Sequence, residues 1–148
     1  MLGKGLSLSF WQKKRKHKIS LIIVRNQFNE ILLLKRSQTD DWRPEHWGLP
    51  GGHVEPGERH IKAAARELLE ETNVIPINLK PGFTYDGIEV FYTDNWIGPV
   101  SLRDASHGFE HMDWLWIHPS KLKSLKKKQK VVPTLKSDKF VKQIQSLG

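Results

Sequence analysis

Glu67, Glu70 and Glu71 stand at positions i, i+3 and i+4, a spacing that brings three carboxylates to one side of a helix. Left alone they repel one another, and a cation placed among them relieves that repulsion. A hard divalent ion such as Mg²⁺ suits the position, because it takes a few carboxylate oxygens and leaves room for water and phosphate oxygens. An ordinary solvated acidic helix face has the same spacing, so both readings stay open at this point. The chain has no cysteine, which excludes a thiolate nucleophile, a disulfide framework and a thiolate zinc site. Its chemistry falls to carboxylates, histidines and hydroxyls.

The stretch around the cluster narrows the choice. From Gly52 there are five residues to Glu58, then seven to Arg66-Glu67-Leu68-Leu69-Glu70-Glu71-Thr72-Asn73-Val74. This resembles the Nudix box, Gly-x5-Glu-x7-Arg-Glu-U-x-Glu-Glu-x-Gly-U with U apolar, at every fixed position but one: Asn73 stands where the family has glycine. The resemblance extends to the lead-in Gly48-Leu49-Pro50-Gly51-Gly52, to the run ending Leu34-Lys35-Arg36, and to Glu110 ahead of Trp114-Leu115-Trp116-Ile117-His118-Pro119. Asn73 is a mild departure, since asparagine follows glycine in tolerance of the left-handed conformation common after a helix.

The resemblance implies a fold, a cofactor and roles. The fold is α/β, a Nudix-type α/β/α sandwich with a mixed sheet between helices. Glu70 and Glu71, with the backbone carbonyl of Gly51, would hold Mg²⁺, with Mn²⁺ as a substitute, and Glu67 would join them or act as base toward the attacking water. Arg66 would orient the glutamates through charge-assisted bonds. Gly52, Glu58 and Asn73 would shape the motif, Glu58 from a structural or metal-shell position. Glu110 is a second candidate base. Arg36, at a strand end, and Trp42 and Trp47, beside the same loop, are candidate substrate contacts.

The reaction implied is hydrolysis of a phosphoanhydride in a nucleoside diphosphate linked to another group, with nucleoside triphosphate pyrophosphohydrolysis in front. Dinucleoside polyphosphates, nucleotide sugars and RNA 5′ ends remain alternatives, as does a non-catalytic binding module, against which the intact glutamates argue. Glu89 stands where family members acting on ADP-ribose usually have proline, and Tyr92 where dinucleoside-polyphosphate enzymes often have tyrosine. The partner implied is a small nucleotide, with nucleic acid not favoured and oligomeric state open.

The elements that must position these groups follow from hydrophobic pattern. Residues 59 to 72 read as a helix, since Ile61, Ala64, Ala65, Leu68 and Thr72 recur at spacings of three and four. Ser20 to Arg25 and Glu30 to Arg36 read as a hairpin about Asn26-Gln27-Phe28-Asn29. Ser37 to Trp47 reads as a polar loop. Further strands are expected at Val74 to Leu79, Ile88 to Trp96 and Met112 to Ile117, and a second amphipathic helix at Ser137 to Leu147. Trp114 and Trp116 share a strand face and are expected in the core. His60 is expected to be solvated. His107-Gly108-Phe109-Glu110-His111 spells a zinc-protease pattern, but it lies in a turn-like region with no helical period, so zinc proteolysis is set aside.

Charge is uneven along the 148 residues, which we expect to form one domain. Residues 1 to 18 carry six Lys/Arg and no acid, residues 121 to 148 carry nine Lys and only Asp138, and the segment between has nine Lys/Arg against fifteen Asp/Glu. An acidic centre suits a divalent cation, whereas Lys-rich ends are solvated surface or polyanion contacts. No apolar run approaches the roughly 20 residues needed to span a bilayer, and a cytoplasmic location is expected.

Overall fold

The computed structural model describes residues 18–102 and 110–148. The basic N-terminal segment up to residue 17, and His107 to Phe109 of the protease-like pattern, lie outside the described residues.

Two main sheets share the core. Strands β1 (Ile19–Val24), β4 (Gly51–His53), β6 (Lys80–Tyr85) and β7 (Ile88–Thr93) form a mixed sheet in the order β4-β1-β7-β6, with β1 and β7 parallel. Strands β2 (Ile31–Arg36), β3 (Trp47–Gly48) and β9 (His111–Ile117) form an antiparallel sheet in the order β3-β2-β9. A third pair joins β5 (Ile75–Ile77) to β8 (Asn95–Ile97). Helix α1 (His60–Thr72) covers one side, and α2 (Leu122–Lys128), α3 (Pro133–Lys136) and α4 (Asp138–Gln145) cover the other.

Alternation along β1 and β2 explains the layering. Ile22, Val24, Leu32 and Leu34 face Ala64 and Leu68 of α1, while Ile23, Ile31 and Leu33 face Leu122, Leu135, Phe140 and Ile144 of the C-terminal helices. Strands that are apolar on both faces must be covered on both, and the α/β/α arrangement does this.

That double burial also corrects the expected hairpin. The turn forms, with Asn26 Oδ1 accepting from the N–H groups of Phe28 and Glu30, but pairing stops at Arg25 and Ile31. Neither strand can remain at an open ribbon edge, so β1 enters between β4 and β7 and β2 between β3 and β9. The expected strand 88–96 is likewise divided. Thr93 Oγ1 bonds Ile77 and Asn95 carbonyls at 2.6 and 2.7 Å, and Asp94 turns out to meet Arg25 at 2.7 Å.

The last helix starts where Ser137 caps it, accepting from Phe140 N–H. Helix α2 was not foreseen, since its Lys-rich run offers only Leu122 and Leu125 as apolar anchors. Trp116 packs as expected, stacked on Trp96 at 5.3 Å. Trp114 does not; it is exposed on β9, an edge strand. No helix among the described residues is long and apolar enough to cross a membrane.

Candidate metal and active site

The site is built where α1 crosses the paired β1 and β4, and glycine makes the approach possible. Gly51 has φ 142°, and a Cβ there would lie 2.2 Å from the Ser20 carbonyl oxygen. A Cβ on Gly52 would lie 2.7 Å from Glu67 Cδ, so the Glu67 carboxylate rests directly over the Gly52 backbone. Ser20 Oγ donates to the His60 carbonyl at 2.8 Å and ties the start of α1 to β1. The buried face of α1, including Ala63, Ala64 and Leu68, fixes the helix roll. That roll sets the direction of the glutamates.

Arg66 gathers most of them. Its Nε and Nη2 donate to both oxygens of Glu58 at 2.8 and 3.1 Å, and Nη1 donates to Glu70 at 2.6 Å and Glu67 at 3.1 Å. Nη2 also donates to the His53 carbonyl at 3.0 Å, anchoring the guanidinium to β4. The bidentate bond from Arg66 holds the Glu58 carboxyl below the usual range. Glu58 and Arg66 thus meet in the paired geometry a planar guanidinium fits best.

Glu71 lies beyond that network. It is only 6% exposed, and its Oε1 accepts the Gly51 N–H at 3.0 Å. Burial pushes its carboxyl well above the usual range, and the nearby Glu67 and Glu110 add to the rise. Burial raises Glu67 as well, against the pull of Arg66. His111 Nε2 is 3.8 Å from Glu71 Oε2, too far for a hydrogen bond. Burial and the Arg36 charge depress the imidazole to about 4, so at neutral pH it carries no charge to balance Glu71. A buried carboxylate among carboxylates, lacking a charged hydrogen-bond partner among the described residues, fits a site completed by a divalent cation.

The loop after β2 lies beside this cluster. Arg36 Nη2 meets Asp40 Oδ2 at 2.6 Å, and Asp40 Oδ1 accepts from the N–H groups of Trp42 and Arg43 at 2.8 and 3.0 Å. Burial alone would lift the Asp40 carboxyl, but these bonds outweigh it and hold it low. Trp42 is 56% exposed, with the guanidinium carbons of Arg36 and Arg43 at 5.2 and 5.3 Å from its ring centroid. Ser37 N–H donates to the Glu110 carbonyl at 3.0 Å, tying the loop to the start of β9.

Comparison with known proteins matches the NUDIX domain family over residues 15–136. This chain belongs to the Nudix hydrolase family. It is 47% identical over 111 residues to a candidate 8-oxo-dGTP diphosphatase of Bacillus subtilis (strain 168), covering 70% of this chain and 67% of that protein. It is 33% identical over 97 residues to an asymmetrical bis(5′-nucleosyl)-tetraphosphatase of Caenorhabditis elegans, covering 59% of this chain and 66% of that one. The chain thus spans about two thirds of the length of these relatives. Among solved structures it resembles a MutT protein from Methanosarcina mazei Go1, with TM-score 0.65 and 25% identity over 86% of this chain and 91% of that one. The α/β layering and the MutT-like kinship agree.

Within this Nudix fold, Gly51, Gly52, Glu58, Arg66, Glu67, Glu70 and Glu71 come together around the start of β4, with Glu110 close enough for its charge to act on Glu67 and Glu71. Arg36 and Trp42 flank the group. Trp47 is the exception among the expected substrate contacts. Only 6% exposed, it packs in the core, its backbone bonded to Lys130 and Val132, so no ring face is left for a ligand. Gly51 meets Glu71 through its N–H. His111, whose side chain lies beside Glu71, entered the sequence reading only as the last residue of the protease-like pattern that was set aside.

Asn73 closes α1 in the left-handed region, with φ 63° and ψ 13°, and its N–H bonds the Leu69 carbonyl at 2.9 Å. Asn73→Gly is therefore expected to leave turnover within a few-fold and stability changed by under about 1 kcal/mol, because glycine relieves the left-handed cost while loosening the unfolded chain. Steady-state kinetics and thermal melts check this. A large loss of turnover would show that the amide takes part in the site.

Proposed function

We propose that this Nudix hydrolase is a Mg²⁺-dependent nucleoside triphosphate pyrophosphohydrolase that releases a nucleoside monophosphate and pyrophosphate. The observation that carries this reading is the buried Glu71 carboxylate, bonded to the Gly51 N–H, whose proton affinity is raised by burial and by the neighbouring Glu67 and Glu110. The substrate class rests on kinship with the Bacillus subtilis relative and the MutT neighbour.

In this reading Glu70, Glu71 and the Gly51 carbonyl hold the cation, with Mn²⁺ as a substitute. Bound there, it would neutralise charge on the phosphate oxygens and polarise the attacking water. Glu67 takes the proton of that water as the oxygen bonds to phosphorus and the bridging P–O bond breaks, leaving the electron pair on pyrophosphate. Its raised proton affinity, caused first by burial, brings it nearer to the range in which a general base works at neutral pH. Arg66, fixed by Glu58, keeps Glu67 and Glu70 aimed inward. Arg36 and Trp42 border the entry and contact the nucleotide.

The tyrosine mark of the dinucleoside-polyphosphate enzymes gains no support from position. Tyr92 pairs with Ile23 and lies against Arg25, toward the end of β1 away from Gly51 and Gly52. A hydrolysis screen over normal and oxidised nucleoside triphosphates, dinucleoside polyphosphates and nucleotide sugars tests the proposal. Triphosphates should turn over fastest with Mg²⁺, and excess chelator should abolish the reaction. Preference for a dinucleoside polyphosphate, or undiminished turnover in chelator, would overturn it.

A further inference from the structure

We propose that His111 adds a nitrogen ligand to the carboxylate site, so that the site that takes Mg²⁺ on oxygen atoms alone also offers a transition-metal ion such as Zn²⁺ a tighter mixed set of Glu71, Glu110 and His111. The inference rests on reading the cluster as a metal site, and goes beyond that reading in naming a donor outside the glutamate motif.

Three observations converge on His111. The ligand atoms of Glu71, Glu110 and His111 all lie within 4.8 Å of one another, and His111 Nε2 is 3.8 Å from Glu71 Oε2. Ligands bound at about 2.0 to 2.2 Å around one ion stand roughly 3 to 4 Å apart, so small side-chain shifts suffice to close the set. The imidazole is also buried, with its side chain only 8% exposed, and among the described residues it makes no hydrogen bond. Buried ring nitrogens ordinarily find a partner, and this one is aimed at a carboxylate.

The third observation is in the backbone. Strand β9 pairs Asp113 with Lys35, but the next pair joins His111 to Arg36, skipping Met112. Without this bulge Met112 would stand opposite Arg36. With it, Met112 is exposed and the imidazole lies 3.8 Å from the Glu71 carboxylate. Bulges commonly re-aim a side chain beside an active site. An imidazole nitrogen suits transition metals, whereas Mg²⁺ takes oxygen ligands.

The test uses Zn²⁺ and Mg²⁺ alone as probes, by calorimetry on the full chain and its His111→Gln and Glu71→Gln variants. Histidine-selective ¹⁵N spectra of the unaltered protein are recorded in parallel. Wild type should bind Zn²⁺ at least about tenfold more tightly than Mg²⁺. Glu71→Gln should weaken both ions, and His111→Gln should lose most of the Zn²⁺ preference while changing Mg²⁺ affinity less than about threefold. The assigned His111 Nε2 resonance should shift on Zn²⁺ addition, a readout that needs no variant to fold. Tight Zn²⁺ binding with that resonance unmoved would overturn the inference, as would Mg²⁺ binding with no Zn²⁺ preference, and in the latter case the metal-site reading survives. Failure of both ions to bind would sink the two together.

Discussion

Glu71→Gln is expected to have opposite effects on stability with and without the divalent cation. In chelator the Glu71 carboxyl is buried with its proton affinity raised. A carboxyl whose folded value lies above its unfolded value contributes stability that is complete below the unfolded value and lost as pH rises through the folded one. Metal-free wild type should therefore lose stability as pH rises above the ordinary carboxylate range. The glutamine variant, which can still accept the Gly51 N–H, should not, and should melt higher there. With cation present the order reverses. A ligand at about a hundred times its Kd stabilises by about 2.7 kcal/mol, roughly 5 to 10 °C for a domain of this size, and the variant should lose most of that gain. Turnover should fall about 10²-fold or more at limiting metal, partly recovered in excess metal. Thermal melts across pH, with and without Mg²⁺, check the stability pattern. Equal melting temperatures of the two proteins at every pH, with and without Mg²⁺, would show that Glu71 is no cation ligand.

The second large effect concerns the proton. If Glu67 is the base, Glu67→Gln should lower kcat by about 10² to 10⁴-fold, and added metal should not restore it. Glu110→Gln should cost much less. Both carboxylates act on Glu71 electrostatically, so the comparison must be made at saturating Mg²⁺, where loss of metal affinity no longer lowers the rate. The structure separates them by environment: Glu67 is half-buried over Gly52 and bonded to Arg66, whereas Glu110 is exposed at the start of β9. Reversal of the two kcat losses would assign the base to Glu110. Losses of only a few-fold in both would leave the reaction without a protein base.

What the sequence made legible is what local spacing determines. The 3.6-residue period fixes which side chains share a face of α1, so the glutamate cluster follows from the chain order, whereas the Arg66 partnership and the left-handed Asn73 were implied by the resemblance to the Nudix box. The layers on both sides were likewise implied by that resemblance. Partner choice is another matter. Nothing local says that β1 pairs in parallel with β7, 69 residues away, or that β2 leaves the hairpin for β9. Trp47 looked like a loop aromatic near the site, yet a parallel bridge to Val131 seals it into the core. His111 shows the same limit, since a one-residue bulge determines which way it points.

The central claim is that this carboxylate site cleaves a nucleoside triphosphate between its α and β phosphorus atoms with the help of Mg²⁺. Phosphorus-31 NMR of one reaction, a nucleoside triphosphate with enzyme and Mg²⁺, tests it most directly. Pyrophosphate and nucleoside monophosphate should appear in equal amounts, and no hydrolysis should occur when chelator is present from the start. Orthophosphate and nucleoside diphosphate as the products, or the same rate in chelator, would contradict it.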